Sequence, residues 1–355
     1  MIAYLFNLLK LARGERALRP LVSVFHLTGR CNLNCAYCED FGARRPNDEL
    51  AQLGVLPLEQ AARVLAVLRQ ASPHLILTGG EPLLYPDIEP LAARARFDHR
   101  FKSLTLLTNG LLLNQHPGLL AHLNRLVISL DSTDPQRWGG VIGLGRRAAQ
   151  TIIDTVAALA RRQAQYPFQL AVNCVVTPHT LPDAEAVLDF CAELGIAFAF
   201  SPQSFNNWPH FQLLASDRYR AFVERVMARK KEGLKVWGSA AYLTLARDFQ
   251  PFRCYPTLVP RVLPNGDLIY PCRPIERSGT PHGGRPCNLT RVASWKEAAA
   301  IAERSFGPPP TSCGSCFQQC YAEPSLMQAR PLSLLREWLL FPPSRRANVS
   351  TFAPG

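Results

Sequence analysis

Leu21-Val22-Ser23-Val24-Phe25-His26-Leu27-Thr28 is an apolar, β-branched run, and Gly29-Arg30 carries it straight into Cys31-Asn32-Leu33-Asn34-Cys35-Ala36-Tyr37-Cys38. The run reads as a buried strand and the glycine as its end. Three thiols then fall in one loop at the tip of that strand. A strand that delivers reactive side chains from its carboxyl end is the arrangement of parallel α/β proteins, whose ligands sit at that end of the sheet.

The chain beyond supports this reading. Further strands are expected at His74 to Thr78, Ser103 to Thr108, Arg125 to Leu130, Gln169 to Thr177 and Ala197 to Ser201. Amphipathic helical patterns alternate with them at Leu58 to Gln70, Asp87 to Ala95, Gly145 to Arg162 and Leu181 to Leu194. Alternation of this kind builds a parallel sheet covered by helices. The expected fold class is α/β, a partial (β/α)6 barrel of parallel strands with a small cysteine-rich C-terminal α+β extension. Four segments follow: an N-terminal amphipathic segment over 1–20, the core over 21–234, the extension over 235–325 and a tail over 326–355. A helical stretch from Asp217 to about Lys231 closes the core. The extension opens on irregular Pro-rich sequence with a hairpin signal at Arg261 to Tyr270, turning at Asn265-Gly266.

With 355 residues, 47% of them hydrophobic and 19% charged, the chain has the composition of a folded globular protein, neither disordered nor membrane-spanning. Eleven cysteines in so long a chain, gathered in two groups, point to metal binding in a reducing cytoplasm rather than to a disulfide framework. Met1 to Leu11 is apolar but has no basic start and no small-residue cleavage site, so a cytoplasmic location is expected. The net charge of +12 is spread over short groups such as Arg146-Arg147 and Arg229 to Lys231. None interleaves with aromatics, so no nucleic-acid partner is expected.

A structural zinc ion wants four ligands, and no fourth Cys or His lies near Cys31, Cys35 and Cys38 in sequence. Three thiolates on a cubane cluster instead leave one iron open to an outside ligand. Thr78-Gly79-Gly80-Glu81-Pro82 ends the next strand, where glycines permit close backbone approach to a ligand. The cysteine loop with Tyr37 between its second and third thiols, followed one β-α unit later by Gly-Gly-Glu-Pro, resembles the radical S-adenosylmethionine (SAM) superfamily over residues 21 to 202. The resemblance implies that Cys31, Cys35 and Cys38 ligate a 4Fe-4S cluster whose fourth iron chelates SAM. Reductive cleavage of SAM then gives a 5′-deoxyadenosyl radical. By the same resemblance Tyr37, Gly79, Gly80, Glu81, Asn109, Ser129 and Asp131 lie around SAM, with Asn173 and Ser201-Pro202-Gln203 near it or the substrate. A turn residue or helix N-cap explains Asn109 or Asp131 equally well. Cys174 and Cys191, inside apolar runs, are expected in the core.

The second group comprises Cys254, Cys272, Cys287, Cys313, Cys316 and Cys320. Its order and hairpin resemble the auxiliary-cluster extensions called Twitch and SPASM. The resemblance implies an auxiliary 4Fe-4S cluster on Cys254, Cys272, Cys313 and Cys316, with Cys320 or Cys287 as alternates. A full SPASM domain needs more than these six cysteines, so one auxiliary cluster is expected; a four-thiolate zinc site is the competing reading.

Members of this architecture modify peptides, lipids or small natural products, and a flavodoxin- or ferredoxin-like reductant is expected to supply the low-potential electron. Alternatives are a radical dehydrogenase that uses the auxiliary cluster as electron acceptor, an adenosyl-transferring hopanoid-type lipid enzyme, and a non-catalytic iron-sulfur or zinc protein. Apolar faces at Ile2 to Leu11 and Leu332 to Phe341 suggest peripheral membrane contact.

Overall fold

The computed structural model describes residues 2–41, 49–205, 208–310, 314 and 316–329. Its centre is one eight-stranded sheet. In chain order the strands are β1 (Ser23–His26), β2 (His74–Thr78), β3 (Ser103–Thr108), β4 (Arg125–Ser129), β5 (Gln169–Val176) and β6 (Ala197–Pro202). A short hairpin of β7 (Ser204–Phe205) and β8 (Trp208–Pro209) stands apart, and β9 (Arg261–Val262) and β10 (Leu268–Ile269) complete the sheet. The order across it is β10-β9-β1-β2-β3-β4-β5-β6, parallel throughout except for β10, which runs antiparallel to β9. No strand pair among the described residues joins β10 to β6, so the barrel is partial.

The first strand is shorter than its apolar run because its flanks pair elsewhere. The Leu21 and Val22 amides both donate to the Leu258 carbonyl. The hairpin expected at Arg261 to Tyr270 forms, with Gly266 at φ +91° in its turn, a region that glycine enters without steric cost. Its first strand lies beside β1, and Val236 bridges Phe198 of β6, so the sheet runs through the expected boundary at 235.

Parallel register decides which side chains share a face, since paired residues point the same way and successive ones alternate. One face carries Phe25, Leu75, Leu77, Leu104, Leu106, Leu126, Ile128, Leu170, Val172, Phe198 and Phe200, all buried. Helices Leu58–Ala71, Ile88–Phe97 and Leu181–Glu193 pack on it, the first through Ala61, Val64, Leu65 and Leu68. Cys174 and Cys191 belong to this core, as expected.

The opposite face is the barrel interior: Val24 and His26, Ile76 and Thr78, Leu107, Val127 and Ser129, Asn173 and Val175, Ser201. Ile76, Thr78, Leu107, Ser129, Asn173, Val175 and Ser201 are only half-buried, and they cluster toward the carboxyl ends. The interior is therefore open at that end, where the cysteine loop lies.

Neighbouring residues of β3 separate the two environments. Leu106→Ala, on the helix-covered face, is expected to cost about 2–5 kcal/mol in denaturant unfolding, the range for a fully buried leucine. Leu107→Ala, facing the open interior, should cost less than half as much; equal losses would show that the faces are misassigned.

Candidate active site

The first strand's exit is pinned before the first cysteine appears. Leu27 N–H donates to the Thr78 carbonyl, Gly80 N–H to the Thr28 carbonyl and Glu81 N–H to the Arg30 carbonyl, each at 2.8 Å. Two backbones lie so close here that a Cβ on Gly79 would stand 2.5 Å from the Thr28 oxygen, and one on Gly80 2.3 Å from the Arg30 oxygen. The glycines therefore serve an approach of chain to chain. Beyond them Glu81 is fully buried, its carboxylate accepting from Leu83 N–H (3.0 Å), Thr108 Oγ1–H (2.6 Å) and Asn109 N–H (2.8 Å). Burial lifts its pKa to about 7 against the pull of these donors.

Two more strand exits hold the loop itself. Asn109 Nδ2 donates to Asn32 Oδ1 at 2.7 Å, and the Tyr37 hydroxyl donates to Asp131 Oδ2. Asp131 is fully buried and its second oxygen accepts from Val175 N–H at 2.7 Å. Burial raises its pKa to about 6, opposed by those two bonds. From below, Asn34 N–H donates to Ile142 O (2.8 Å) and Ala36 N–H to Val141 O (3.0 Å), at the end of helix Pro135–Ile142. Gly80, Asn109 and Asp131, expected around a cofactor, are thus occupied in clamping the cysteine loop. Ser129 differs: it stands on the open interior beside its strand partner Asn173.

The clamped thiols are near enough to feel one another. Burial, then mainly the Glu81 and Cys38 charges, raises the Cys31 pKa to about 11, although the Leu33 N–H bond to its sulfur (3.4 Å) opposes this. Burial, Asp131 and the two sister thiols raise Cys35 to about 12. Cys38 Sγ accepts from Phe41 N–H at 3.3 Å. Three thiolates at this spot require a strongly cationic centre to balance them, and iron supplies one. Among the described residues no three His, Cys, Asp or Glu converge as around a single ion. A structural zinc ion wants four ligands where this loop offers three thiols, whereas a cubane held by three thiolates keeps one iron open. The donor set fits a three-thiolate cluster.

Cys254, Cys272 and Cys316 are buried together among Tyr255, Leu258, Val259 and Tyr321, with Cys320 at the edge. This group packs against Val22, Val24 and Ile76, on the inward side of β1 and β2. Cys313 lies outside the described residues. Of the two alternates, Cys320 joins the group, while Cys287 packs against the main core.

Sequence reasoning missed Asn32, His26, Arg261 and Arg273, all close to these groups. His26 had a signal, a lone polar residue at an inward position of an apolar strand. The arginines had none, because their placement depends on β9 joining β1.

Residues 25–166 match the family model described as the Radical SAM superfamily. That match covers less than half of the chain; the superfamily it describes uses a 4Fe-4S cluster and S-adenosylmethionine, and a cysteine-rich C-terminal segment follows the matched residues. The chain is similar to the GTP 3′,8-cyclase of Synechococcus sp., 40% identical over 215 residues that cover 55% of this chain and 60% of the relative. A probable GTP 3′,8-cyclase of Methanococcus aeolicus is 29% identical over 178 residues, 48% of this chain and 55% of the relative. The chain thus spans between half and two thirds of these relatives. Among solved structures, Streptococcus suis SuiB bound to precursor peptide SuiA aligns at a TM-score of 0.61 with 19% identity, covering 83% of this chain and 67% of SuiB. Native anSMEcpe with bound AdoMet aligns at 0.60 with 14% identity, covering 90% and 99%. At such identities the likeness is one of fold.

The raised pKa of Asp131 has a consequence for stability. Its carboxyl contributes stability that is present below the unfolded value of 3.8 and lost as pH rises through about 6. The unfolding free energy of cluster-free protein relative to Asp131→Asn should therefore fall across that window. A difference that does not change with pH would contradict the burial argument.

Proposed function

We propose that the chain is a radical SAM enzyme that reductively cleaves S-adenosylmethionine at a 4Fe-4S cluster held by Cys31, Cys35 and Cys38. The observation that carries this reading is the clamping of a three-thiol loop by three strand exits over the open end of a partial barrel. When bound, the cluster and SAM supply the 5′-deoxyadenosyl radical. The chain's own part is to fix the loop through Gly80, Asn109 and Asp131 and to offer Ser129, Asn173 and Ser201 to what enters the interior. Tyr37, Gly79, Gly80, Glu81, Asn109, Ser129 and Asp131 form the proposed SAM environment. In it Gly79, Gly80 and Glu81 act through backbone groups, because the Glu81 carboxylate is already engaged.

An auxiliary 4Fe-4S cluster is proposed on Cys254, Cys272, Cys313 and Cys316 within residues 235–325. The gathering of Cys254, Cys272 and Cys316 supports it, and the nearness of Cys320 makes that residue the alternate. The substrate enters the interior face; of a peptide, a lipid and a small natural product, the relatives named for GTP favour a small molecule. A flavodoxin- or ferredoxin-like protein is the proposed reductant and the cytoplasm the proposed location. No helix among the described residues is long and apolar enough to cross a membrane.

The test is anaerobic reconstitution with iron and sulfide, then dithionite and SAM, with 5′-deoxyadenosine as readout. Roughly eight irons per chain are expected, and about four after Cys31→Ala/Cys35→Ala/Cys38→Ala with cleavage abolished. Folded wild type that binds no iron and forms no 5′-deoxyadenosine would refute the reading. Cys254→Ala/Cys272→Ala should likewise remove about four irons while the SAM-binding cluster remains.

A further inference from the structure

Helix Ile2–Ala12 is built inside out. The one fully buried side chain described in it is Asn7, which holds the backbone of Arg19, donating to its carbonyl (2.9 Å) and accepting from its N–H (2.8 Å). The Tyr4 hydroxyl donates to the Met327 carbonyl at 2.8 Å and Lys10 Nζ to the Ala17 carbonyl at 2.7 Å. Polar contacts thus hold the helix to the body of the protein. Leu5, Phe6 and Leu9, which share one arc of the helix, point outward at 53%, 48% and 60% exposure. Single exposed apolar residues are ordinary, but three large ones on a helix whose inner side is polar mark a face that something apolar covers.

The apolar surface continues inward. Phe6 also lines a cavity of about 520 Å³ with Leu18, Pro260, Leu268, Trp295 and Ala302, a volume within the range of ligand pockets. The cavity lies at the amino ends of β1 and β9, away from the cysteine loop: Leu18 N–H donates to Thr257 Oγ1, and Val24 N–H to the Pro260 carbonyl. The charge around it is mostly of one sign. Arg19 and Lys296 border the cavity, Arg13 and Arg16 follow the helix, and these four exposed cations have no ion pair among the described residues. Lys10 is balanced by Glu15 at 2.8 Å, and Glu303 is the acidic residue of the lining. A helix that lies in a lipid interface has this composition, its apolar side entering the acyl boundary while cations meet anionic headgroups. A second copy of the same face would instead set these arginines against one another.

We propose that the outer face of helix Ile2–Ala12, ringed by Arg13, Arg16, Arg19 and Lys296 and continuous with the cavity behind it, docks on an anionic lipid bilayer. The inference goes beyond the radical SAM reading and does not depend on it. The helix lies on the surface and does not cross it, because 11 residues reach only about 16 Å against a hydrocarbon core of about 30 Å. Since the face is at the amino ends of the strands, docking leaves the open end of the barrel turned to water.

The experiment is co-sedimentation of the reconstituted full-length protein with vesicles of phosphatidylcholine mixed with phosphatidylserine, and with vesicles of phosphatidylcholine alone. Binding to the mixed vesicles is expected, reduced by added salt and about tenfold weaker on phosphatidylcholine alone. Leu5→Asp/Leu9→Asp should abolish it and Arg13→Gln/Arg16→Gln should weaken it about tenfold. Phe97→Asp, at a side chain 64% exposed at the end of helix Ile88–Phe97, should bind as wild type does. Circular dichroism checks that each variant is folded, and if the leucine pair is not, the arginine pair decides. Wild type that stays in the supernatant with mixed vesicles, or folded variants of both pairs that sediment as wild type does, would overturn the proposal. So would equal binding to both kinds of vesicle, or a dimer on gel filtration that Leu5→Asp/Leu9→Asp dissolves, which would assign the face to a second copy. SAM cleavage followed in the same preparation separates the readings: cleavage without vesicle binding sinks only the docking, and vesicle binding without cleavage sinks only the enzymatic reading.

Discussion

Everything at the mouth of this barrel depends on two backbones being allowed to touch. The exit of β2 must lie against the exit of β1 closely enough for Gly80 and Glu81 to donate to Thr28 and Arg30, and no Cβ fits at Gly79 or Gly80. That contact fixes where Arg30 ends and hence where Cys31 begins. It also turns the Glu81 side chain back under the loop, where it ties β2 to Thr108 and Asn109 at the exit of β3. Asn109 can then reach Asn32. A loop carrying three thiols has little intrinsic reason to be ordered, and here the order is imposed by neighbours that are themselves buried and hydrogen-bonded.

The same geometry leaves the three thiols half-buried rather than sealed off. Burial among carboxylates makes thiolates costly, which favours a metal centre able to pay that cost over a bare reactive cysteine. Asp131 serves two loops, taking one donor from Tyr37 and another from Val175, so the cysteine loop and the end of β5 share a single anchor. The half-buried residues of β4 to β6 that line the open interior are mostly small or polar, and the apolar bulk is on the other side under the helices.

Much of this could be read before any coordinates. Strand periods, the Cys31 to Cys38 spacing and the Gly79-Gly80 pair are local signals, and local signals predict strands, loops and close approaches. The expected strands from His74 to Thr108 matched at both ends, and β1 is shorter than expected at both of its ends, its first amides going to Leu258. What sequence could not give was direction. Asn109 and Asp131 are plausible cofactor contacts by position, but their side chains turn to Asn32 and Tyr37, and only the register of neighbouring strands decides that. Nor could it show that the hairpin at Arg261 would extend the core sheet, since two-residue strands carry almost no periodic signal.

That last addition has the widest effect. Because β9 pairs with β1, the segment between Cys254 and Cys272 is drawn along the inner side of the first strand, and the second cysteine group packs on Val24 and Ile76 instead of standing off as a separate lobe. The strand that delivers the first three thiols is thus the strand against which the second group is built. Arg261 is carried in with β9, and its guanidinium meets Cys320 on one side and the neighbourhood of His26 on the other. A buried cation in that position is costly in isolation and is tolerated where charge of the opposite sign is supplied. Here the Cys320 sulfur, which accepts from the guanidinium, and the nearby Asp40 carboxylate favour it, so the cation on β9 ties the second cysteine group to the segment that follows the first.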